Sequence, residues 1–298
     1  MKTNWLQFLS LCTALVASTT LAQDFSKVEI KTEKLAANVY MMIGAGGNLG
    51  LSIGEDAVFV IDDQFAPLTP KIEAAIKKLT DKPVKFVLNS HWHSDHTGGN
   101  ENLGKSGALI FAHENVRKRM SSEQFIEFLA SEVPVSPKGA LPVVTFSTDI
   151  TFHLNADEIF VYHVPAAHTD GDVIVHFTKS DVIHMGDVFF NKLYPFIDAS
   201  SGGTIDGVIA AVDRVLAIAT DKTKIIPGHG PLGTRSDLSA YRDMLATVAG
   251  RIKAQIKEGR KFEDIVASKP TADFDNAWGN GFIPGAKFAE MVAKSFMK

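Results

Sequence analysis

The sequence predicts an α/β fold in which two sheets pack face to face and helices cover the outer face of each sheet. Several apolar runs, such as 57–62, 84–88 and 172–177, lack the polar alternation of a half-exposed strand, so both of their faces are expected to be buried. Both halves of the chain also share a plan of strands followed by helices. The 298 residues fit one large domain or two small ones, and we expect a single domain over residues 23–298.

The first half of the chain is expected to alternate strands with two helices. Apolar residues at three- and four-residue spacing indicate the first helix, and short apolar runs between turn residues indicate the strands. The predicted elements are strands at 28–30, 39–43, 57–62, 84–88 and 108–111, and helices at 68–79 and 114–130.

Two connecting segments of this half are distinctive in composition. The glycine-rich stretch 44–50 lacks the GxGxxG spacing, followed by a helix, that binds phosphate, so we expect a hairpin connection there. Residues 131–142 contain Pro134, Pro137, Gly139 and Pro142, which favours a surface loop with little regular structure. That loop either covers a site or is a plain connector.

The second half begins with strands and ends with helices. The strands are again short apolar runs, whereas the helices show amphipathic spacing. The predicted elements are strands at 143–147, 150–154, 158–164, 172–177, 181–185 and 224–226, and helices at 205–219, 237–257 and 261–267.

The N-terminus has the pattern of a secretory signal peptide over residues 1–22. Lys2 supplies the positive start, an apolar stretch follows, and Thr20-Leu21-Ala22 places small residues before a cleavage site at Gln23. A membrane anchor is the alternative, but the apolar stretch is short and is interrupted by Ser and Thr. We therefore expect a periplasmic or secreted protein with no membrane association after cleavage.

Composition excludes several classes of partner and chemistry. The net charge is −4 and no basic run occurs, so nucleic acid is not expected as a partner. The single cysteine, Cys12, lies in the predicted signal peptide. The mature chain is thus expected to fold in an oxidising compartment without disulfides.

The segment His91-Trp92-His93-Ser94-Asp95-His96 holds three imidazoles and one carboxylate. It follows the apolar strand at 84–88 and precedes Thr97-Gly98-Gly99, which predicts a loop that leads into a helix. Side chains two residues apart on an extended segment point the same way, so His91 and His93 can bind one ion. Asp95 and His96 lie beyond the bend and can bind a second. Imidazole with carboxylate is a zinc-type ligand set.

Three later segments place further ligand-type side chains directly after predicted strands. His168 lies in Ala166-Ala167-His168-Thr169-Asp170, Asp187 follows Gly186, and His229 lies in Pro227-Gly228-His229-Gly230. Loops at strand ends are where functional sites are commonly built. Together with the six-residue motif, these residues favour one shared metal site.

In the order of these motifs the sequence resembles the metallo-β-lactamase superfamily, and the resemblance extends over nearly the whole mature chain. It implies a four-layer αβ/βα sandwich with two zinc ions at one edge of the sheets. By this resemblance, His91, His93 and His168 bind the first zinc, Asp95, His96 and His229 bind the second, and Asp187 bridges them. Asp62 matches an aspartate behind the site that orients a ligand histidine.

The implied chemistry is hydrolysis of a small molecule. Two zinc ions lower the pKa of a bridging water, and the resulting hydroxide attacks the carbonyl of a cyclic amide, ester or thioester. Asp95 is the expected catalytic carboxylate, which orients the hydroxide and passes a proton to the leaving group. His184, three residues before Asp187, either supports the site or is an ordinary hydrogen-bonded histidine.

Substrate choice is less closely defined by the sequence. The best-known lactamases of the superfamily have Cys where this chain has Asp187, and a Lys three residues later that binds the substrate carboxylate. Position 190 is Phe here, and Lys192 is the nearest substitute. Alternatives to a general zinc hydrolase are a class B-like β-lactamase, an iron-dependent oxidoreductase on the same fold and a non-catalytic periplasmic partner.

Overall fold

A computed structural model describes residues 24–297 of the chain. The predicted signal peptide, residues 1–22, lies outside the described residues. In chain order the strands are β1 (Lys31–Lys34), β2 (Val39–Ile43), β3 (Leu49–Ile53), β4 (Val58–Ile61), β5 (Val84–Leu88), β6 (Leu109–His113), β7 (Gln124–Ile126), β8 (Ser131–Val133), β9 (Val144–Phe146), β10 (Asp149–Leu154), β11 (Asp157–His163), β12 (Val173–Phe177), β13 (Val182–His184) and β14 (Lys224–Ile226). The α-helices are α1 (Thr69–Lys77), α2 (Ser94–Thr97), α3 (Asn100–Lys105), α4 (Glu114–Met120), α5 (Ile205–Leu216), α6 (Arg235–Lys257), α7 (Phe262–Ala267), α8 (Asp275–Trp278) and α9 (Gly285–Phe296).

The strands form two mixed sheets and one small hairpin. The first sheet has the order β1-β2-β3-β4-β5-β6-β9, and the second has the order β10-β11-β12-β13-β14. Neighbours are antiparallel from β1 to β4 and from β10 to β13, whereas β4-β5, β5-β6, β6-β9 and β13-β14 are parallel. Among the strands of residues 24–297, β7 and β8 pair only with each other.

The buried apolar side chains divide the protein into four layers. One cluster joins the inner faces of the two sheets and includes Phe59 and Leu88 from the first and Val175 from the second. Another packs α1 and α3 against the outer face of the first sheet. A third packs α5, α6 and α9 against the outer face of the second sheet. Burial of these fully apolar strands from both faces confirms the predicted α/β sandwich.

The N-terminal strand prediction at 28–30 is wrong, because the edge strand β1 begins at Lys31. The carbonyl oxygens of Phe25, Ser26 and Val28 instead accept hydrogen bonds from the Lys71 ammonium at 2.7–2.9 Å. The backbone carbonyl of Val28 is thus satisfied by a side chain and not by a neighbouring strand.

The helix predicted over 114–130 is also wrong in length, because α4 ends at Met120. The hydroxyls of Ser121 and Ser122 donate to the carbonyl oxygens of Arg117 and Lys118, which satisfies the last turn of the helix. The chain then forms the β7-β8 hairpin, so the loop predicted at 131–142 begins within a strand.

The last part of the chain contains two helices that the sequence analysis did not predict, α8 and α9. Helix α9 buries Phe288, Met291 and Val292, and it lies against α6 and α7. The long helix α6 begins two residues earlier than predicted, because Thr234 and Asp237 form a reciprocal capping box. Within residues 24–297, no helix combines the length and apolar character needed to cross a bilayer.

Parallel pairing brings the functional loops to one edge of the sandwich. In the first sheet, β4 and β5 end at Ile61 and Leu88, so the loops that start with Asp62 and with Asn89 leave side by side. In the second sheet, β13 and β14 are parallel and their following loops carry Asp187 and His229. Ligand sites in open α/β sheets form at such carboxyl ends.

Candidate metal centre

The six-residue motif leaves β5 in an extended conformation and then turns into a short helix. The rings of His91 and His93 have centroids 4.9 Å apart, as expected for side chains on the same side of an extended segment. His93 has φ −63° and ψ 148° and precedes α2, whose first turn contains Asp95 and His96. The loop is fixed from behind by Asn89 and Asn100, whose side-chain amides exchange hydrogen bonds at 3.0 and 2.9 Å.

The structure brings all seven predicted ligands together in two adjacent groups. The first group contains His91, His93, His168 and Asp187, and the second contains Asp95, His96 and His229. Within each group, one candidate ligand atom per residue lies within 4.8 Å of every other. In the first group, His93 Nδ1 and His168 Nε2 are 2.9 Å apart. Two nitrogen lone pairs at this distance repel each other unless a proton or a cation lies between them.

Asp187 lies between the two groups and faces both. Its Oδ2 atom is 3.6 Å from His168 Nε2 and 3.9 Å from His91 Nε2. Its Oδ1 atom is 3.1 Å from His96 Nε2 and 3.3 Å from His229 Nε2. A carboxylate with one oxygen toward each group has the geometry of a bridging ligand.

Four histidines present one ring nitrogen to the centre because the other nitrogen is already bonded to oxygen. His91 Nδ1 bonds Ser90 Oγ at 3.0 Å, and His96 Nδ1 bonds Asp62 Oδ2 at 2.7 Å. His168 Nδ1 donates to the Phe196 carbonyl at 2.8 Å. Carboxylate and carbonyl oxygens accept, so the outer nitrogen donates to them and the inner nitrogen is the one available to a metal.

The fourth of these histidines uses a partner that sequence reasoning missed. His93 Nε2 is 3.1 Å from Asp198 Oδ2, which leaves Nδ1 as the ligand atom. Asp198 also accepts from the backbone and hydroxyl groups of Ser200 and Ser201. Asp followed by Ser-Ser is a recognisable capping pattern, but nothing in the sequence connects it to a histidine 105 residues earlier.

Buried atoms without hydrogen-bond partners show that the site fits metal ions. His91 Nε2, His96 Nε2 and Asp187 Oδ1 are buried among the other ligand atoms, yet none of the three makes a hydrogen bond of acceptable geometry. Leaving such groups unsatisfied costs about 1–3 kcal/mol each, and more for a charged group. Backbone approaches the ligands closely at Gly47 and Gly228, where a Cβ would overlap the His96 ring and Asp187 Oδ1 respectively. Nitrogen and carboxylate donors that converge in this way suit a divalent cation.

Electrostatics divides the histidines into two kinds. Burial lowers the pKa of His91 well below its usual range and that of His168 to about 4, so both are neutral at pH 7 and ready to bind a metal. Burial also disfavours the charged form of His229, but the Asp187 carboxylate outweighs it and raises the pKa of His229 to about 9. Metal binding at that residue must therefore displace a proton.

Asp62 and His184 lie behind the ligands. Asp62 is fully buried and bonds His96 directly, and its oxygens also accept from the backbone N–H and hydroxyl of Ser90 at 2.6 and 2.7 Å. Because Ser90 in turn bonds His91, one carboxylate orients a histidine in each group. The His184 ring donates to the Asn48 carbonyl at 3.0 Å and accepts from the Gly186 N–H at 3.2 Å, so it fixes backbone beside Asp187.

The centre lies at the bottom of a cavity of about 490 Å³. Asp95, Asp187, His93 and His229 line its wall, and Trp92 packs against His93 with ring centroids 4.8 Å apart. The prediction that Lys192 binds substrate finds no support in this geometry. Its side chain is exposed, and the cavity is lined by residues on either side of it, Phe190 and Leu193.

We expect Asp198→Ala to weaken zinc binding by about 10- to 100-fold, because His93 would lose the partner that fixes its ring and its tautomer. Competition with a chromophoric chelator at fixed pH measures the change. Asp198→Asn keeps an oxygen acceptor for His93 Nε2 and should recover part of the affinity. An alanine variant that binds zinc as tightly as the wild type would show that Asp198 does not position His93.

Comparisons with known proteins agree with this geometry. A sequence profile described as the metallo-beta-lactamase superfamily matches residues 44–230. The hydroxyacylglutathione hydrolase of Pelagibacter ubique (strain HTCC1062) is 26% identical over 161 residues, which are 52% of this chain and 56% of the relative. The match therefore spans little more than half the length of that relative.

Two solved structures illustrate the shared fold. A metallo-beta-lactamase from Pontibacter korlensis matches 73% of this chain and 99% of its own, with 21% identity and a TM-score of 0.59. The inverting sec-alkylsulfatase Pisa1 from Pseudomonas sp. matches 90% of this chain and 50% of its own, with 17% identity and a TM-score of 0.67. At these identities the likeness concerns the fold alone.

Proposed function

Because the chain belongs to the metallo-β-lactamase superfamily, we propose that it is a secreted hydrolase that uses two zinc ions to cleave a small-molecule ester, thioester or cyclic amide. The observation that supports this most strongly is the convergence of seven ligand-type side chains, three of which have buried, unpartnered atoms toward the centre. One zinc would be held by His91, His93 and His168, the other by Asp95, His96 and His229, and both by Asp187.

Bound zinc would supply a Lewis acid for the carbonyl oxygen and a nucleophile from water at neutral pH. The chain itself supplies a carboxylate for proton transfer. Asp95 lines the cavity, and its Oδ2 atom lies 3.3 Å from His229 Nε2 and 3.6 Å from His96 Nε2. Burial alone would raise the pKa of Asp95, but His96 and His229 bring it to about 2. Asp95 is therefore ionised and able to accept a proton and deliver it to a leaving group.

Thioesters are included among the substrates because the relative from Pelagibacter ubique is a hydroxyacylglutathione hydrolase, and an acyl group on the sulfur of glutathione is a thioester. Secretion rests on the signal-peptide pattern of residues 1–22. Sequencing of the protein from a periplasmic extract should begin at Gln23, and a chain that retains Met1 there would contradict the proposal.

We expect the zinc-loaded protein to hydrolyse lactones or aryl esters at least as efficiently as penicillins or carbapenems, compared as kcat/KM. By the family resemblance, Phe190 stands where the best-known lactamases have a carboxylate-binding lysine, and here it lines the cavity. A hydrogen bond to a charged group is worth about 1.5–3 kcal/mol. Without this hydrogen bond, kcat/KM for carboxylate-bearing β-lactams should be lower by about one to two powers of ten. Neutral substrates do not use the bond, so their kcat/KM should be unaffected.

A panel of esters, thioesters and lactams measures this preference, with Lys192→Ala as the control. Since Lys192 lies outside the cavity wall, the variant should keep the selectivity of the wild type. A carbapenem rate well above every ester and thioester would favour the class B-like β-lactamase instead. Iron with oxygen consumption would indicate the oxidoreductase, and no turnover on any substrate would indicate a non-catalytic partner.

A further inference from the structure

The wall of the cavity above the metal centre is mostly apolar. Besides the ligands, its side chains are aromatic or aliphatic with the exception of Ser94, and no Lys or Arg among the described residues lines it. The apolar wall residues are Phe65, Trp92, Ile126, Leu129, Val133, Phe190, Leu193, Tyr194, Phe196, Phe282 and Ile283. A cavity with polar groups at one end only selects the remainder of its ligand by apolar contact.

Two segments contribute the solvent-exposed apolar residues at the mouth of this cavity. One is the β7-β8 hairpin, which contributes Ile126, Leu129 and Val133. The other is the segment between α8 and α9, which contributes Phe282 and Ile283. This second segment lies beyond residue 230, where the match to the superfamily profile ends. The mouth is therefore built partly from sequence outside the matched profile.

The second segment is anchored to the site by Tyr194. The Tyr194 backbone N–H donates to the Trp278 carbonyl at 2.8 Å, and its hydroxyl donates to Asp275 Oδ1 at 2.9 Å. Its ring stacks on Phe288 with centroids 4.9 Å apart and an interplanar angle of 18°. Ile283 is only 1% exposed, so the residue that follows Phe282 is fixed by packing.

Phe282 and Leu129 are nonetheless exposed to solvent. Phe282 is 73% exposed and Leu129 is 43% exposed, although each borders the cavity. Large apolar side chains that border a cavity and remain exposed to water indicate a binding surface. A ligand that covers them removes their apolar surface from water, which favours binding.

We propose that Phe282 and Leu129 form an apolar clamp that binds an uncharged hydrophobic group, an alkyl chain or an aromatic ring, of the substrate. This inference rests on the proposed hydrolase function, since it assigns the group attached to the scissile carbonyl. Because no Lys or Arg of the described residues lines the cavity, no basic side chain in its wall could pair with a carboxylate on the hydrophobic group. The substrate class is therefore a neutral ester, thioester or lactone with an apolar substituent.

The first test compares p-nitrophenyl esters of increasing acyl length on the zinc-loaded protein. Each buried methylene should raise kcat/KM about three- to fourfold, so hexanoate should exceed acetate by at least about 30-fold. Mono-p-nitrophenyl adipate has the same length with a terminal carboxylate and should be at least about tenfold poorer than hexanoate. Equal rates for acetate and hexanoate, or a preference for adipate, would overturn the clamp.

Variants locate the effect. Phe282→Ser and Leu129→Ser should each lower kcat/KM for hexanoate at least about fivefold and change that for acetate by less than about twofold. Phe125→Ser is the matched control, since Phe125 is 52% exposed on the same hairpin and does not line the cavity. An equal loss in the Phe125 variant, or no loss in either clamp variant, would contradict the assignment.

Binding of the neutral fluorophore N-phenyl-1-naphthylamine separates the clamp from the chemistry. The zinc-loaded protein should bind it at one site, and Phe282→Ser should raise its Kd at least about fivefold while Phe125→Ser leaves it unchanged. If this pattern appears and no ester is hydrolysed, the clamp stands and the proposed function fails. If the fluorophore does not bind, or binds equally to both variants, the clamp is wrong whatever the hydrolytic activity.

Discussion

Replacing Asp187 with alanine is expected to reduce the bound zinc from two ions per chain to one at most and to lower kcat/KM by about a thousandfold. Asp187 directs one oxygen toward His96 and His229 and the other toward His91 and His168, so it is the only predicted ligand that faces both groups. Loss of the shared ligand weakens the binding of both ions. An effect of about 4 kcal/mol on the transition state corresponds to the stated factor.

Elemental analysis and steady-state kinetics on the best ester measure this variant. Asp213→Ala is the matched control, because it removes a carboxylate that pairs with Arg242 at the surface. Its metal content and activity should equal those of the wild type. Circular dichroism should show the same secondary structure in all three proteins. Two zinc ions per chain and full turnover in Asp187→Ala would refute the bridging role.

Replacing Asp62 with alanine is expected to lower the free energy of unfolding of the metal-free protein by about 3–5 kcal/mol. Three buried donors lose their acceptor at once, namely the His96 ring, the Ser90 backbone N–H and the Ser90 hydroxyl. Zinc affinity should also fall by about 10- to 100-fold, because a histidine in each ligand group would lose its orientation. Urea unfolding and chelator competition measure the two effects.

The neighbouring Asp63 provides the control for this substitution. Burial raises the pKa of Asp63 well above its usual range, and its Oδ1 accepts from the Gly99 N–H at 2.8 Å. Asp63→Asn conserves the neutral form and the shape, so stability and zinc affinity should change little. Equal losses in the two variants would mean that the effect of Asp62 reflects general packing and not its hydrogen bonds to the ligand loop.

The local part of the site could be predicted because its geometry follows from spacing. Alternation along an extended segment places His91 beside His93, and strand ends account for Asp187 and His229. Asp198 could not be predicted in the same way. Its contact with His93 depends on how a loop 105 residues later folds over the site, and no local spacing in the sequence indicates that approach.

The fold shows the same division between local and distant interactions. Continuous apolar runs predicted the buried strands correctly. The helix predicted over 114–130 is too long, because the observed helix α4 ends at Met120. Propensity favours a helix there, but Arg119 forms a two-pronged ion pair with Asp170, and Gln124 bonds the same guanidinium at 2.9 Å. The distant contact with Asp170 and the local one with Gln124 together hold the chain as it turns into a hairpin. The hairpin then supplies one side of the cavity mouth.

The zinc content of the mature protein tests the central claim most directly. Protein beginning at Gln23 would be loaded with excess zinc, dialysed against metal-free buffer and analysed for metal per chain by mass spectrometry. Two adjacent ligand groups that share Asp187 predict a value near two. A value of one or less after loading would contradict a two-metal centre and the mechanism built on it.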